Sequence, residues 1–318
     1  MGLFDIFGKK KETPKRPPLR PLMRASMLPP HPDPQADKNF IIIILDSCRW
    51  DSMVAAEPTN ITKLGKIEKR YSYAGWTAPS HYNLLTGLLP HTSPANVYAS
   101  DYYKEDFFNY NERLGAKGIE FGKMVPALWF PGLLRNTLGY HTHARVSLPV
   151  LNPKTGINRD FDSFELMDSH NDMMAILPTM KFTDERPSFY LLNVGETHYP
   201  YAKPDEDSSM WPRISGVNGV FKKLDTQIDE KGNLMSQDDA PKFFDQDKLD
   251  QLRERQIDTV RFLDKEVFPA LFDMVPKNTT IIVTADHGEL FGEAGYFGHG
   301  PIMHEKCFEV PYIEGMIR

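Results

Sequence analysis

The chain has 318 residues, of which 41% are hydrophobic and 25% are charged, and its net charge is −6. This composition predicts a globular protein with one large domain or two small ones. Because no basic stripe carries interleaved aromatic residues, nucleic-acid binding is not expected. The two cysteines, Cys48 and Cys307, argue against a disulfide framework and are compatible with a reducing cytoplasm.

Residues 1–38 are predicted to form a flexible tail, because the segment is rich in proline and lysine and has too few apolar residues to bury a core. An alternative is a weak association of this tail with a membrane surface, with Phe4 and Phe7 among the headgroups and Lys9, Lys10 and Lys11 near anionic lipid. No apolar run approaches the roughly 18 residues of a spanning helix. We therefore expect a cytoplasmic protein, either free or peripheral at the inner membrane surface.

Residues 39–318 are predicted to form one catalytic domain. It begins with a continuous apolar run, Ile41 to Leu45, which is typical of a strand buried on both faces. Similar runs over 188–194 and 279–285 predict two more strands, and residues 247–274 carry apolar side chains at helical spacing. Strands that alternate with helices predict an α/β fold with a mixed, mostly parallel central sheet and helices on both faces. Residues 202–246 are predicted to be an insertion over the edge of the sheet.

Each of the three strands is followed by acidic or imidazole side chains. Asp46 follows the first, Glu196 and His198 follow the second, and Asp286 and His287 follow the third. Because ligands of open α/β sheets bind beyond the carboxyl ends of the strands, we expect these groups to meet at one edge. A metal ion would explain the arrangement, whereas His287 taken alone would more often be a structural histidine.

Residues 71–94 are predicted to contain a helix that has Pro79 in its first turn, runs through Asn83 and Leu85 and ends at Gly87. Thr77 would lie just before the helix N-terminus, where orphan N–H groups and the helix dipole favour negative charge. A hydroxyl group that touches a metal there could ionise and attack a phosphorus or sulfur centre. The alternative is that Thr77 or Ser80 only caps the helix.

These segments resemble the alkaline phosphatase/sulfatase superfamily, over residues 39–315 and in the expected order. The resemblance is carried by ILDSCRWD, TAPSHYNLLTGLLPHTSP, ETHYPY, the helix and strand that end in ADHGE, and FGEAGYFGHGPIMHEKCFEVPYI. Thr77 occupies the position of the cysteine that arylsulfatases convert to formylglycine, and His81 occupies that of the following arginine. The sequence of the loop to His299 is most similar to that of the phosphoethanolamine and lipoteichoic-acid transferases, which use a threonine nucleophile.

The resemblance implies an alkaline phosphatase-like fold and a divalent metal ion, zinc or manganese, with a second metal as an additional option. The implied metal ligands are Asp46, Thr77, Asp286 and His287. The implied substrate-binding residues are His81, His198 and His299. Of these, His198 and His299 would also serve as acid–base groups or as ligands of the second metal, and Thr77 would be the nucleophile.

The predicted function is therefore that of a metal-dependent hydrolase or transferase, whose phosphodiester or phosphomonoester substrate forms a covalent intermediate on Thr77. The transferases are usually tethered by spanning helices, and none is predicted here, which favours a phosphodiesterase or phosphomonoesterase. Two alternatives stay open: a sulfuric ester hydrolase that lacks formylglycine, and a non-catalytic metal-binding scaffold with the same fold.

Overall fold

The structure, a computed structural model, describes residues 39–92, 129–207, 209, 245–300 and 302–317. The predicted tail and most of the predicted insertion at 202–246 lie outside these ranges, so both stay predictions. All elements below belong to one compact unit, His31–Arg318.

A seven-stranded sheet forms the centre of the fold, with the order β2-β9-β6-β1-β5-β3-β4. Its strands are β1 (Phe40–Leu45), β2 (Glu68–Tyr71), β3 (His141–Val146), β4 (Ser163–Leu166), β5 (Ser188–Val194), β6 (Thr280–Thr284) and β9 (Glu309–Met316). Strand β1 pairs in parallel with β5 and β6, and β3 pairs in parallel with β4 and β5. Strand β9 is antiparallel to β2 and β6. The mixed, mostly parallel sheet is confirmed.

Alternate residues of β1 enter two different cores, as expected for side chains that point to opposite faces of a strand. On one face, Ile41 and Ile43 pack with residues of helices α1 (Trp50–Ala56), α5 (Gln246–Phe262) and α6 (Phe268–Met274). On the other face, Ile42 and Ile44 pack with residues of helices α2 (Thr77–Leu85) and α3 (Phe130–Asn136). Burying side chains of this size stabilises the fold by about 1.5–3 kcal/mol each. The described residues also form α4 (Met173–Ile176), the hairpin β7 (Leu290–Phe291) and β8 (Phe297–Gly298), and α7 (Glu305–Phe308).

The helix predicted over 247–274 has the expected extent, but a π-helical turn at Leu263–Val267 divides it into α5 and α6. Pro269 lies in the first turn of α6 and has no N–H to donate to the preceding turn. Asp264, within the π turn, accepts hydrogen bonds from the backbone N–H groups of Asn60 and Ile61 at 2.8 and 2.7 Å. Through these hydrogen bonds, the π-helical turn holds the segment that follows α1 in place. Among the described residues, no helix is both long enough and apolar enough to cross a membrane.

Candidate active site

The carboxyl ends of β1 and β6 lie side by side, because the two strands are parallel neighbours. Asp46 follows β1, and Asp286 and His287 follow β6, so all three side chains are at the same edge, where they are buried. His287 Nε2 lies 3.7 Å from Asp46 Oδ1 and 3.4 Å from Asp286 Oδ2. One ligand atom from each of the three lies within 4.8 Å of the other two. The structure thus brings together Asp46, Asp286 and His287, as the sequence predicts.

Thr77 joins this cluster from helix α2. Its Oγ1 lies 3.2 Å from His287 Nε2. The helix begins at Thr77, one residue earlier than predicted, and its N-cap is Trp76, without a side-chain capping bond. Ser80 Oγ donates to the carbonyl oxygen of Ala74 instead of accepting from a helix N–H group. Neither hydroxyl therefore caps the helix, which removes the structural alternative considered for Thr77.

His287 presents an unprotonated nitrogen to the acidic groups. Its Nδ1 lies 2.8 Å from the carbonyl oxygen of Gly288, so Nδ1 carries the hydrogen and Nε2 carries the lone pair. Burial, together with the charge of His299, holds the pKa of His287 well below its usual value. The lone pair of Nε2 therefore accepts from the Thr77 hydroxyl and also faces two carboxyl groups, which a cation would satisfy.

Asp286 supplies the clearest sign of a cation. Its Oδ1 accepts hydrogen bonds from the backbone N–H groups of Ser47 and His287, at 3.2 and 3.0 Å. Its Oδ2 is buried and accepts no hydrogen bond from any residue that the structure describes. Burial and the charge of Asp46 raise the pKa of Asp286 well above its usual value. An unpartnered oxygen beside a second carboxyl group is costly in a protein interior, and a divalent cation would offset that cost.

Asp46, in contrast, is fully partnered within the protein. Its Oδ2 accepts from Asn193 Nδ2 at 2.8 Å, and its Oδ1 accepts from Ser47 Oγ at 3.2 Å. Burial alone would raise its pKa. The neighbouring side chains of His198, His287 and His81 and the Asn193 hydrogen bond outweigh burial, and the pKa is lowered. Ser47 has a left-handed backbone with φ 60°, which directs its N–H at Asp286 and is uncommon for a residue other than glycine.

His81 is completely buried. Its Nδ1 donates to the carbonyl oxygen of Thr77 at 2.8 Å, and its Nε2 lies 3.5 Å from Asn193 Nδ2. Burial lowers the pKa of His81, which favours the neutral ring. These contacts tie helix α2 to β5. Substrate binding by His81 stays a prediction.

His198 and His299 lie at the rim of the cluster. The ring of His299 is centred 4.2 Å from that of His287 and 5.4 Å from that of His198. His299 Nδ1 lies 2.8 Å from Glu289 Oε1. Burial lowers the pKa of His299, but the charge of Glu289 and this hydrogen bond outweigh it, so the net shift is upward. The glycine-rich loop does bring His299 back to the site. Gly292 helps it to turn by adopting a φ of 107°.

Glu196 does not join the cluster, contrary to the expectation that it would reach the same edge. Its Oε1 accepts from the backbone N–H of Met173 at 2.7 Å, and the side chain is fully buried below the turn after β5. The first turn after the strand places Glu196 inward, and His198, two residues later, reaches the rim.

Two groups that support the site were missed by sequence reasoning. Asn193 is the one amide within SFYLLNV, a mostly apolar strand segment, and an amide in such a buried strand is the signal by which the sequence could have indicated it. Glu289 belongs to ADHGE, but nothing in the sequence alone connects it with His299, ten residues further on.

Comparisons with known proteins agree with this fold. A model of the sulfatase family matches residues 38–314. No curated protein sequence matches the chain.

Among solved structures, the C-terminal periplasmic domain of EcEptC from Escherichia coli is similar, with a TM-score of 0.51 and 12% identity over 89% of this chain and 73% of that chain. A complex of the same domain with Zn gives a TM-score of 0.50 at the same identity and coverage. The C-terminal periplasmic domain of phosphoethanolamine transferase EptC from Campylobacter jejuni gives 0.49 and 14% over 87% of this chain and 78% of that one. At such identities the structural similarity shows the fold alone. The family model, however, spans most of the chain and confirms the resemblance to the alkaline phosphatase/sulfatase superfamily: this protein belongs to the sulfatase family.

Proposed function

We propose that this protein is a metal-dependent hydrolase or transferase of phosphate esters and that Thr77 is its nucleophile. The observation that carries the proposal is the position of Thr77 Oγ1, 3.2 Å from His287 Nε2 in a buried cluster that also contains Asp46 and Asp286. A hydroxyl at the first position of a helix also lies near the positive end of the helix dipole, which favours its ionised form.

Asp46, Thr77, Asp286 and His287 would hold the metal ion, and the unpartnered Asp286 Oδ2 supports this assignment. Carboxylate, imidazole and hydroxyl ligands suit zinc or manganese, and Zn accompanies one structure of the Escherichia coli EptC domain. When bound, such an ion supplies positive charge that lowers the pKa of a nearby hydroxyl and stabilises negative charge on a phosphoryl group. A second metal near His198 and His299 stays a prediction from the resemblance.

The chain's own residues account for the remaining steps. Thr77 Oγ1 releases its proton to solvent and forms a bond to phosphorus, while the bond from phosphorus to the leaving oxygen breaks. His299 or His198, at the rim, donates a proton to that oxygen or binds the phosphoryl oxygens. Water or an acceptor alcohol then attacks phosphorus, breaks the Thr77 ester bond and restores the hydroxyl. Water as acceptor gives hydrolysis, and an alcohol gives group transfer.

Sulfuric ester hydrolysis is the second candidate, favoured by the family match. It is less favoured because Thr77 stands where arylsulfatases have the modified cysteine, and because Cys48 and Cys307 are both buried. Burial raises the pKa of both thiols, to about 12 for Cys307 and higher still for Cys48, so neither supplies a nucleophile at neutral pH. The third candidate is a non-catalytic metal-binding scaffold.

The cytoplasmic location stays a prediction from the sequence.

The three candidates can be separated by one set of measurements on the purified chain. Bound metal is measured by emission spectroscopy, and hydrolysis is followed on nitrophenyl phosphate monoesters, phosphate diesters, phosphonates and sulfates. We expect bound zinc or manganese and turnover of at least one phosphate ester. Faster cleavage of the sulfate ester would favour the second candidate. A protein that is inert toward all substrates and free of metal would favour the scaffold.

Thr77→Ala provides the residue-level test. We expect activity to fall by three or more powers of ten, since a metal-activated nucleophile supplies this much rate. Thr77→Ser should retain part of it. Acid quenching during turnover, followed by mass spectrometry, should find phosphate on the peptide that contains Thr77. Undiminished turnover by Thr77→Ala would refute the assignment.

A further inference from the structure

A buried carboxyl group outside the metal cluster contacts His299. Glu289 is 1% exposed, and its Oε1 lies 2.8 Å from His299 Nδ1. Because a carboxylate only accepts hydrogen bonds, this contact places a hydrogen on Nδ1 of His299 and leaves Nε2 available to a ligand.

The second oxygen of Glu289 is also occupied. Tyr201 donates its phenolic O–H to Glu289 Oε2 at 2.9 Å. Both carboxyl oxygens therefore have a partner, and rotation of the carboxyl group would break one contact or the other. The chain Tyr201–Glu289–His299 connects three residues from separate segments at the site.

Tyr201 is held in place by an apolar cluster. It has no exposed surface, and its ring packs with Leu249 and Leu252 of α5 and with Phe291 and Phe297 of the β7–β8 hairpin. Its ring centroid lies 5.5 Å from that of Phe291. A phenol buried among hydrocarbon needs a hydrogen-bond partner for its O–H group, and here that partner is Glu289.

We propose that Tyr201 and Glu289 are positioning residues, which hold the His299 ring with Nδ1–H on Glu289 and Nε2 directed at the substrate, where the protonated ring donates from Nε2 to a phosphoryl oxygen or to the leaving oxygen. The inference rests on the proposed function for the identity of that ligand. The hydrogen bonds that hold the His299 ring are independent of the proposed function. Neither residue needs to touch the substrate, because both act through the orientation and tautomer of the His299 ring.

The competing interpretation is that the Tyr201 hydroxyl only stabilises the fold. The chain offers a matched control in Tyr190, which is also buried and whose O–H donates to the carbonyl oxygen of Lys181 at 2.8 Å, away from the site. Tyr201→Phe and Tyr190→Phe both remove one buried hydroxyl and keep the ring. A purely structural role predicts similar effects of both variants on every readout.

The first test follows the His299 ring directly, and it is independent of catalysis. The full chain, with 15N-labelled histidine and one equivalent of Zn²⁺, is studied by NMR, and the His299 signals are identified by their loss in His299→Gln. We expect the wild type and Tyr190→Phe to show His299 with hydrogen on Nδ1. Tyr201→Phe and Glu289→Gln should shift the His299 signals toward a mixture of tautomers. Unchanged His299 signals in both variants, or equal changes in Tyr190→Phe, would overturn the proposal.

The second test separates kcat from KM on whichever phosphate ester is turned over. Loss of a residue that orients a functional histidine typically costs 10–100-fold, so we expect Tyr201→Phe to lower kcat by about tenfold, with unchanged metal content and little change in KM. Tyr190→Phe should keep wild-type kcat. If no substrate is turned over, the proposed function fails while the NMR test still decides the positioning role. If turnover is found and Tyr201→Phe matches the control, the positioning role fails while the proposed function stands.

Discussion

Replacing Asp286 with asparagine should make the metal-free protein more stable and abolish its response to metal. The substitution keeps Oδ1, which accepts from the N–H groups of Ser47 and His287. It replaces the unpartnered Oδ2 with an NH₂ group, 3.4 Å from the Nε2 lone pair of His287. The substitution thus removes a buried carboxyl oxygen that destabilises the metal-free protein and introduces an N–H donor for His287 Nε2.

The size of the effect follows from the distance between the charges. At most 4.8 Å separates the ligand oxygens of Asp46 and Asp286, and two charges at that distance repel by about 3 kcal/mol at an effective dielectric constant of 20. Protonation of Asp286, whose pKa is raised, relieves part of this cost in the wild type. We therefore expect a gain of about 1–3 kcal/mol in the free energy of unfolding. For a domain of this size, the melting temperature should rise by several degrees.

Thermal unfolding followed by circular dichroism, in EDTA and in Zn²⁺, measures both effects. At metal concentrations about 100 times the dissociation constant, the wild type should gain about 2.7 kcal/mol and Asp286→Asn almost nothing. Asp264→Asn is the control, since both oxygens of Asp264 accept backbone N–H groups and the variant should lose about 1–3 kcal/mol. If Asp286→Asn loses stability in EDTA as Asp264→Asn does, the cation argument is wrong.

Two further predictions concern residues around the site. Burial raises the pKa of Glu196 from 4.5 to about 7, so the wild type loses stability as the pH rises between these values, by about 3 kcal/mol at 1.4 kcal/mol per pH unit. The advantage of Glu196→Gln in urea unfolding should therefore grow by this amount from pH 4.5 to 8, and a constant difference would contradict the burial argument. Gly288→Ala should weaken zinc binding and lower the melting temperature, because a Cβ there would overlap the carbonyl oxygen of Lys306. Zinc titration by calorimetry would measure the loss, and wild-type affinity would count against it.

The central strands of the fold could be predicted from the sequence because each is a continuous apolar run. The strand expected at 188–194 has those bounds in the structure, and its seven residues are all buried. Strands β2 and β3 carry no such run. Glu68–Tyr71 is a charged edge strand, and His141–Val146 alternates because His141 and His143 are only partly buried. Short and polar strands are specified by their neighbours in the sheet more than by their own composition.

The metal cluster could be predicted because the carboxyl ends of parallel strands share an edge. Because Asp46 and Asp286 directly follow neighbouring parallel strands, their position at one edge can be predicted without knowing where either side chain points. The same reasoning is wrong for Glu196, because the turn after β5 directs this side chain inward to Met173. It also cannot find Tyr201, whose link to the site passes through Glu289 and depends on tertiary packing.

The central claim is that Asp46, Thr77, Asp286 and His287 bind one cation. Crystals grown with Zn²⁺, with diffraction data collected on both sides of the zinc absorption edge, would test it directly. The account predicts one strong anomalous peak about 2.0–2.2 Å from an oxygen of each aspartate, from His287 Nε2 and from Thr77 Oγ1. A zinc-loaded crystal without a peak among these four side chains, or with Thr77 Oγ1 turned away from the ion, would contradict it.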